Sequence, residues 1–140
     1  MDTNVLISAL VGHGKPRRLV TLLLERHQIV TSRQMLAEFA DVASREEFAE
    51  VGRTRVVSFM SILARHAVIV PVKHVLNVIV EDPDDNIVLS TALQGNASQI
   101  VSGDRHLLEL RRYRGVRIVT VEEMLAEIFH LLGERAEKKS

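Results

Sequence analysis

Ile100-Val101-Ser102-Gly103-Asp104-Arg105 is the stretch of this 140-residue chain that decides its fold. A short β-branched run ends at Ser102, a glycine follows, and Asp104 then precedes the helical pattern that begins at His106. In parallel α/β sheets, ligands bind outside the carboxyl ends of the strands, so a polar side chain at such an end is a candidate for chemistry. An aspartate at that position also caps helices and forms turns, and the stretch alone leaves both interpretations open.

Outward from this stretch, short apolar runs alternate with segments of helical periodicity. The apolar runs are rich in β-branched residues, and the predicted strands cover 28–31, 67–70, 99–102 and 116–119. Helices are predicted from Pro16, from Ser32, over 54–66, over 85–93 and from Thr120. Strands that are apolar throughout are typical of sheets covered on both faces. We therefore predict a three-layer α/β/α fold with a central parallel sheet.

The composition excludes several kinds of function. The chain has no cysteine, so disulfides, thiolate zinc sites and thiol nucleophiles are ruled out. Its formal net charge is zero, so nucleic acid would have to be bound by a local basic patch. Neither a signal peptide nor an apolar run of membrane-spanning length is visible, and we expect a cytoplasmic protein. The length suits one domain, predicted over 1–132, with a charged tail over 133–140 predicted to be disordered.

Besides Asp104, three acidic residues stand where they could take part in chemistry. Asp2 opens the chain before an apolar segment, Glu38 lies inside a predicted helix, and Asp85 begins another. Taken singly, each has an ordinary structural interpretation as a cap, a partner of the helix dipole or a solvated side chain. Their significance therefore depends on the order in which all of them occur.

Five motifs follow one another between residue 2 and about residue 126. They are Asp2-Thr3-Asn4-Val5-Leu6-Ile7-Ser8, Met35-Leu36-Ala37-Glu38-Phe39, Asp82-Pro83-Asp84-Asp85-Asn86, Ile100-Val101-Ser102-Gly103-Asp104-Arg105 and Gly115-Val116-Arg117-Ile118-Val119-Thr120. In order and spacing they resemble the motifs of the PIN-domain family. The resemblance is greatest to the VapC-like branch, which comprises toxin components of toxin–antitoxin pairs.

The resemblance implies a parallel sheet of order 3-2-1-4-5 and an endoribonuclease that uses Mg²⁺ or Mn²⁺. It assigns the catalytic and metal-binding positions to Asp2, Glu38, Asp85 and Asp104, and the supporting polar positions to Asn4, Asp82, Asn86 and Ser102. We expect Asp2 and Asp104 to be direct ligands and Asp85 a direct or water-mediated one. Glu38 is expected to bind through water or to orient the attacking water, and Ser102 to hold a carboxylate or a water. Crowded carboxylates repel one another, so such a cluster makes sense mainly around a hard cation.

The sequence departs from the family pattern at two places. Only Met1 precedes Asp2, so the first strand is expected to be truncated and Asp2 to be held weakly on one side. His106 stands where many family members carry another acidic residue, and one interpretation is that it faces RNA. In addition, Asp82 and Asp84 crowd Asp85 and could replace it as a ligand.

The predicted partners are RNA, an antitoxin protein and a second copy of the chain. We expect RNA phosphates to be contacted by Lys15, Arg17, Arg18 and Arg105, in which case binding would weaken with salt. A further group, Arg111, Arg112 and Arg114, either joins them or forms a solvated helix end. Leucines between residues 19 and 24 either belong to the core or line a groove for the protein partner.

Two other functions share some of these features. A phosphohydrolase of the haloacid-dehalogenase type also uses a strand-end aspartate with Mg²⁺, but it needs a second acid two residues later, where this chain has Asn4. A non-catalytic PIN-like module would bind RNA or protein without cleavage, and degenerate modules lose acidic positions that this chain retains. A metal-dependent ribonuclease is therefore the function predicted from the sequence.

Overall fold

The fold is given by a computed structural model that describes residues 1–79 and 82–139, with side chains described as far as residue 133. The α-helices of the described residues are α1 (Thr3–Val11), α2 (Lys15–Arg26), α3 (Arg33–Ala43), α4 (Arg53–His66), α5 (Pro83–Gln94), α6 (Arg105–Leu110) and α7 (Val121–Lys139). A 3₁₀ helix over Glu46–Val51 joins α3 to α4. The strands are β1 (Val30–Thr31), β2 (Val68–Ile69), β3 (Gln99–Val101), β4 (Arg112–Tyr113) and β5 (Val116–Val119). All predicted strands and helices are present, with ends that differ by a few residues.

The strands form two sheets, one of β1 and β2 and one of order β3-β5-β4. β1 pairs with β2 in parallel, and so does β3 with β5, in which Ile100 lies opposite Ile118. The predicted order 3-2-1-4-5 corresponds to β2-β1, a central position, and then β3-β5. Among the described residues no strand fills the central position, and the Asp2 amide at one end of it donates to the Val101 carbonyl at 3.1 Å. The predicted parallel α/β fold is thus confirmed, with its sheet divided at the centre.

β4 is a strand that the sequence did not predict. It pairs antiparallel with β5 through a tight turn, in which Arg114 and Gly115 have φ angles of 47° and 85°. Positive φ at both central residues is typical of the two-residue turns that match the twist of a hairpin. Arg112 therefore lies in a strand, so the interpretation of this arginine group as a solvated helix end is wrong.

Helices cover both faces of the strands, as the three-layer prediction requires. On one face Leu19 and Leu23 of α2 share a buried cluster with Val119 of β5. On the other face Leu89 of α5 packs in a cluster with Ile100 of β3. Leu19 is 0% exposed and Leu23 is 7% exposed, so the leucines of α2 that were open to two interpretations belong to the core.

The last helix begins at the predicted cap and extends further than predicted. The Thr120 hydroxyl accepts the Glu123 amide hydrogen at 3.1 Å, while the Glu123 carboxylate accepts that of Thr120 at 3.2 Å, which forms a capping box. The backbone of α7 is helical to Lys139, so the disordered tail predicted from residue 133 differs from the structure. The physical reason is that Glu, Arg, Ala and Lys propagate a helix at little cost. Across the described residues, no helix combines the length and apolar character needed to cross a membrane.

Candidate active site

An acidic pocket with a volume of about 60 Å³ lies at the carboxyl end of β3. It is lined by Asp2, Thr3, Asn4, Glu38, Asp82, Asp84, Asp85, Val88 and Asp104. The pocket brings together the four acidic residues singled out in the sequence, from α1, α3, α5 and the loop between β3 and α6. Their gathering follows from the parallel sheet, because the carboxyl ends of its strands meet at one edge.

Asp2 is buried and held on three sides. One carboxylate oxygen accepts the Val5 amide hydrogen at 3.0 Å and so caps α1, and the other accepts a hydrogen bond from the Ser102 hydroxyl. With its amide bonded to Val101, Asp2 is only 5% exposed. The expectation that Asp2 is weakly held is therefore wrong. Capping and the β3 contact replace the strand that was expected to tether it.

Ser102 joins two of the carboxylates. Its hydroxyl donates to Asp2 and accepts the backbone amide hydrogen of Asp104 at 2.9 Å. The side chain is fully buried, and β3 positions it as the residue that directly follows the strand. Ser102 thus has the geometry of a residue that holds one carboxylate and fixes the loop that carries the other.

Asp104 both caps a helix and faces the acidic pocket. Its Oδ1 accepts the amide hydrogens of His106 at 2.8 Å and Leu107 at 3.4 Å, which begins α6. The two interpretations left open by the sequence hold together, because one oxygen suffices for the cap. The His106 imidazole lies 3.8 Å from the same oxygen. Sequence reasoning did not place His106 in the site, although its position in the first turn after Asp104 was a signal for it.

Asp85 is the most deeply perturbed of the acidic residues. It is 6% exposed, and within the described part of the chain its Oδ2 is buried without a hydrogen-bond partner. Burial, followed by the hydrogen bond with Asp104 and the charges of Asp104, Asp82 and Asp2, raises the pKa of Asp85 to about 8. A carboxylate oxygen that is desolvated and unpaired is costly, and a cation would supply the missing partner.

Glu38 enters the pocket from the middle of α3. Burial raises the pKa of Glu38, a hydrogen bond with Thr3 lowers it, and the charges of Asp84, Asp82 and Asp2 raise it further. Thr3 was not predicted as a site residue, since a threonine in a first helical turn usually has only a local role. Its contact links α1 to α3 at the pocket.

The supporting positions divide into two groups. Asp82 caps α5 by accepting the Asp84 amide hydrogen at 3.1 Å, and Asn4 lines the pocket from α1. Asn86 instead faces the preceding loop. Its side-chain oxygen accepts the amide hydrogens of Val78 and Ile79 at 2.9 and 2.8 Å. The geometry therefore gives Asn86 the work of fastening that loop to α5.

Comparison with known families agrees with this geometry. A family model described as PIN domain matches residues 1–106, a span that includes all four acidic residues. The chain belongs to the PIN domain family. PIN domains are generally nucleases, and they act on RNA. No curated protein shows significant similarity to the chain, and neither does any solved structure.

The carboxylates of this PIN domain fit a hard divalent cation. Asp82, Asp85, Asp104 and His106 offer ligand atoms that all lie within 4.8 Å of one another. Oxygen ligands, a buried carboxylate oxygen without a partner and a raised pKa are together the signature of a site whose charge a cation balances. Asp2 and Glu38 line the same pocket outside this tight group. The donor set differs from the predicted one by the addition of His106 and Asp82.

The predicted RNA contacts of the PIN domain lie outside the acidic pocket. The Arg17 guanidinium donates to the Ala9 and Leu10 carbonyls at 3.0 and 2.9 Å, so it is already engaged at the end of α1. Arg18 lies over the Phe129 ring, with 5.5 Å between guanidinium carbon and ring centroid. Arg105 is exposed and pairs with Glu109 at 3.4 Å, and Lys15 is exposed. Arg105, which directly follows Asp104, is the nearest of them to the pocket in sequence.

Proposed function

We propose that this PIN domain is an endoribonuclease that depends on Mg²⁺ or Mn²⁺ and hydrolyses RNA phosphodiester bonds. The observation that carries the proposal is the convergence of Asp2, Glu38, Asp85 and Asp104 on one pocket, where the Asp85 Oδ2 is buried without a partner in the described structure. Negative charge at this density is unfavourable unless a cation is bound. A protein that only bound RNA phosphates would gain nothing from it.

The four carboxylates take different roles in this proposal. Asp2, Asp85 and Asp104 would hold the ion, which when bound acidifies and orients a water for attack on phosphorus. Ser102 keeps Asp2 and the Asp104 backbone in a fixed relation, because its hydroxyl bonds both. Glu38 would accept the proton of the attacking water. Its raised pKa suits that role, since a general base works best when its pKa approaches the working pH.

RNA would be held by basic side chains around the pocket. Arg105 begins α6 directly after Asp104 and is exposed, so its guanidinium is available for a phosphate. Lys15 and Arg18 are exposed at the start of α2 and would extend the contact. With a formal net charge of zero, binding would depend on these local contacts and would weaken as salt rises.

The proposed biological role is the cytoplasmic toxin of a toxin–antitoxin pair, with an antitoxin protein and a second copy of the chain as partners. Exposed apolar side chains support an interaction surface. Val57 and Ile62 on α4 are 53% and 44% exposed, and Val68 and Ile69 on β2 are 45% and 43% exposed. Apolar side chains of this size on a monomer surface are common at protein interfaces.

The enzyme proposal is tested by RNA cleavage with and without divalent metal. We expect cleavage that EDTA abolishes and Mn²⁺ restores, and we expect Asp104→Asn to reduce the rate by at least about a hundredfold. Asp41→Asn is the matched control, because Asp41 is an exposed acid on α3 that pairs with Arg45 outside the pocket. RNA binding without cleavage by the unaltered chain would favour the non-catalytic module, and full activity of Asp104→Asn would contradict the site.

A further inference from the structure

A cavity of about 390 Å³ separates the two sheets. We name it the strand slot; Val30 of β1 lines one long side and Gln99–Val101 of β3 lines the other. Met1 lines it as well, next to the Asp2 amide that bonds to β3. The strand slot is distinct from the acidic pocket, which lies beyond Asp2.

The backbone groups on both sides of the strand slot are those of unpaired strand edges. Ile29 and Thr31 accept hydrogen bonds from β2, so by the alternation of a strand the amide and carbonyl of Val30 point the other way, into the slot. On the far side, Ser98 and Ser102 bond to β5, so Gln99 and Val101 point into the slot. The slot therefore offers hydrogen-bonding groups at the alternate positions that an inserted strand would use.

The two remaining walls of the strand slot are apolar. Met35, Val88 and Ala92 line it from α3 and α5, and Leu23 and Met124 line it from α2 and α7. These walls are the helical layers that cover the two sheets. A segment with apolar side chains on both faces and polar backbone at both edges matches all four walls, and that is the description of a fully covered parallel strand.

The hydrogen bond from Asp2 to Val101 sets the direction and register of such a strand. In a parallel ladder, two residues on from that bond, the Val101 amide and the Gln99 carbonyl both bond to one residue of the added strand. Counting back from Asp2, that residue is the one joined to the amino group of Met1. Burial lowers the pKa of this amino group, because a charge at the end of an apolar slot is poorly solvated. A peptide bond at the same place would carry no charge.

We propose that the strand slot receives a parallel β-strand of about four apolar residues joined to the amino group of Met1, which unites the two sheets into one. The occupant is a segment of the same chain, since the Asp2 bond already begins its ladder. A separate peptide or a second copy would have to place a chain end against the Met1 amino group. The inference concerns strand pairing and does not depend on nuclease activity.

The test extends the full chain at Met1 by Val-Ile-Val-Ile and, as a matched control, by Gly-Ser-Gly-Ser. Both extensions replace the buried amino group by an amide, but only the first places apolar side chains in the slot. We expect the apolar extension to raise Tm by more than about 5 °C and the control to change it by less than about 2 °C. Equal effects of the two extensions would overturn the proposal.

Amide hydrogen exchange locates the added strand. In the apolar extension we expect exchange at Val30, Gln99 and Val101 to slow by on the order of tenfold or more relative to the control extension, because their backbone groups gain partners. The amides of Thr31 and Ile100, which point to the neighbouring strands, serve as internal references. Slowing spread evenly over both groups would contradict pairing in the slot.

A second variant blocks the strand slot. Ala92→Met would place a long side chain into the cavity that Ala92 lines, and Ala126→Met on the exposed side of α7 is its control. We expect the Tm gain from the apolar extension to disappear in Ala92→Met and to persist in Ala126→Met. Persistence in both variants would overturn the proposal. So would equal protection by free Val-Ile-Val-Ile peptide, or a gain that appears only in a dimer.

Discussion

Asp85 shows at the scale of one residue how the acidic pocket affects stability. Its carboxyl is 6% exposed, and its pKa is raised to about 8 from an ordinary value of 3.8. Below about pH 4 the group is protonated in the folded and the unfolded chain alike. Between about pH 4 and pH 8 the unfolded chain releases this proton while the folded chain keeps it, so the free energy of unfolding falls as pH rises.

We predict that Asp85→Asn removes most of this pH dependence in the absence of metal. Asparagine resembles the protonated carboxyl but does not titrate, so only the contribution of Glu38, whose pKa is raised too, remains. Thermal unfolding in EDTA at intervals from pH 4 to pH 8 measures the effect. Asp41→Asn should follow the unaltered protein throughout. Parallel curves for Asp85→Asn and the unaltered protein would contradict the raised pKa.

The sequence was informative about which acids gather, and less so about what surrounds them. Asp2, Glu38, Asp85 and Asp104 could be predicted to converge, because strand ends and helix starts in a parallel sheet share an edge. Their chemical roles stay predictions. Thr3 and His106 were not predicted as site residues, because their importance depends on contacts through space with Glu38 and Asp104.

At the scale of the element, α1 is a short helix secured at both ends by side chains. Asp2 caps its first turn, and Arg17 donates to the Ala9 and Leu10 carbonyls near its last turn. The last carbonyls of a helix lack partners within it and carry partial negative charge, so a cation there is favourable. Because α1 begins at Asp2, its stability and the placement of that carboxylate are linked.

We predict that Arg17→Ala lowers the free energy of unfolding by about 1–2 kcal/mol, through the loss of these charge-assisted hydrogen bonds. Lys15→Ala, on the same helix but exposed, should change it by less than about 0.5 kcal/mol. Urea denaturation measures both. RNA binding at several salt concentrations separates the roles, since losing one phosphate contact reduces the salt slope by about one. A reduced slope for Arg17→Ala at unchanged stability would reverse this assignment.

Elements were predictable where apolar periodicity was strong and less so where charge concealed it. The strand 116–119 and the cap at Thr120 are present as expected. β4 consists of Arg112 and Tyr113, which carry no strand signal, and it exists because Gly115 permits a tight return to β5. The division of the sheet follows from the empty central position, which local sequence patterns do not describe.

At the scale of the whole molecule, α5 approaches the small sheet of β1 and β2 at Gly95. A Cβ at this position would collide with a methyl group of Val30 and lie 2.9 Å from one of Val70. The absent side chain therefore lets a helix that carries Asp85 pack directly against the sheet. This contact connects the small sheet to the acidic pocket.

We predict that Gly95→Ala lowers the free energy of unfolding by about 1–3 kcal/mol, because the helix and the sheet must move apart. Gly133→Ala in α7 is the control. A Cβ there meets nothing within 4 Å, and alanine in an exposed helix should stabilise by about 0.5–1 kcal/mol. Denaturant unfolding of both variants measures the difference. Equal stabilisation by the two substitutions would show that Gly95 is not a packing contact.

The bond between Ser102 and Asp2 spans 100 residues of chain. During synthesis Asp2 leaves the ribosome early, whereas Ser102, Asp104 and the β5 strand that supports them leave near the end. A nascent chain would thus carry separate carboxylates and no assembled pocket until most of it has emerged. For an enzyme proposed to cut RNA, that order of assembly would spare the messenger from which it is being translated.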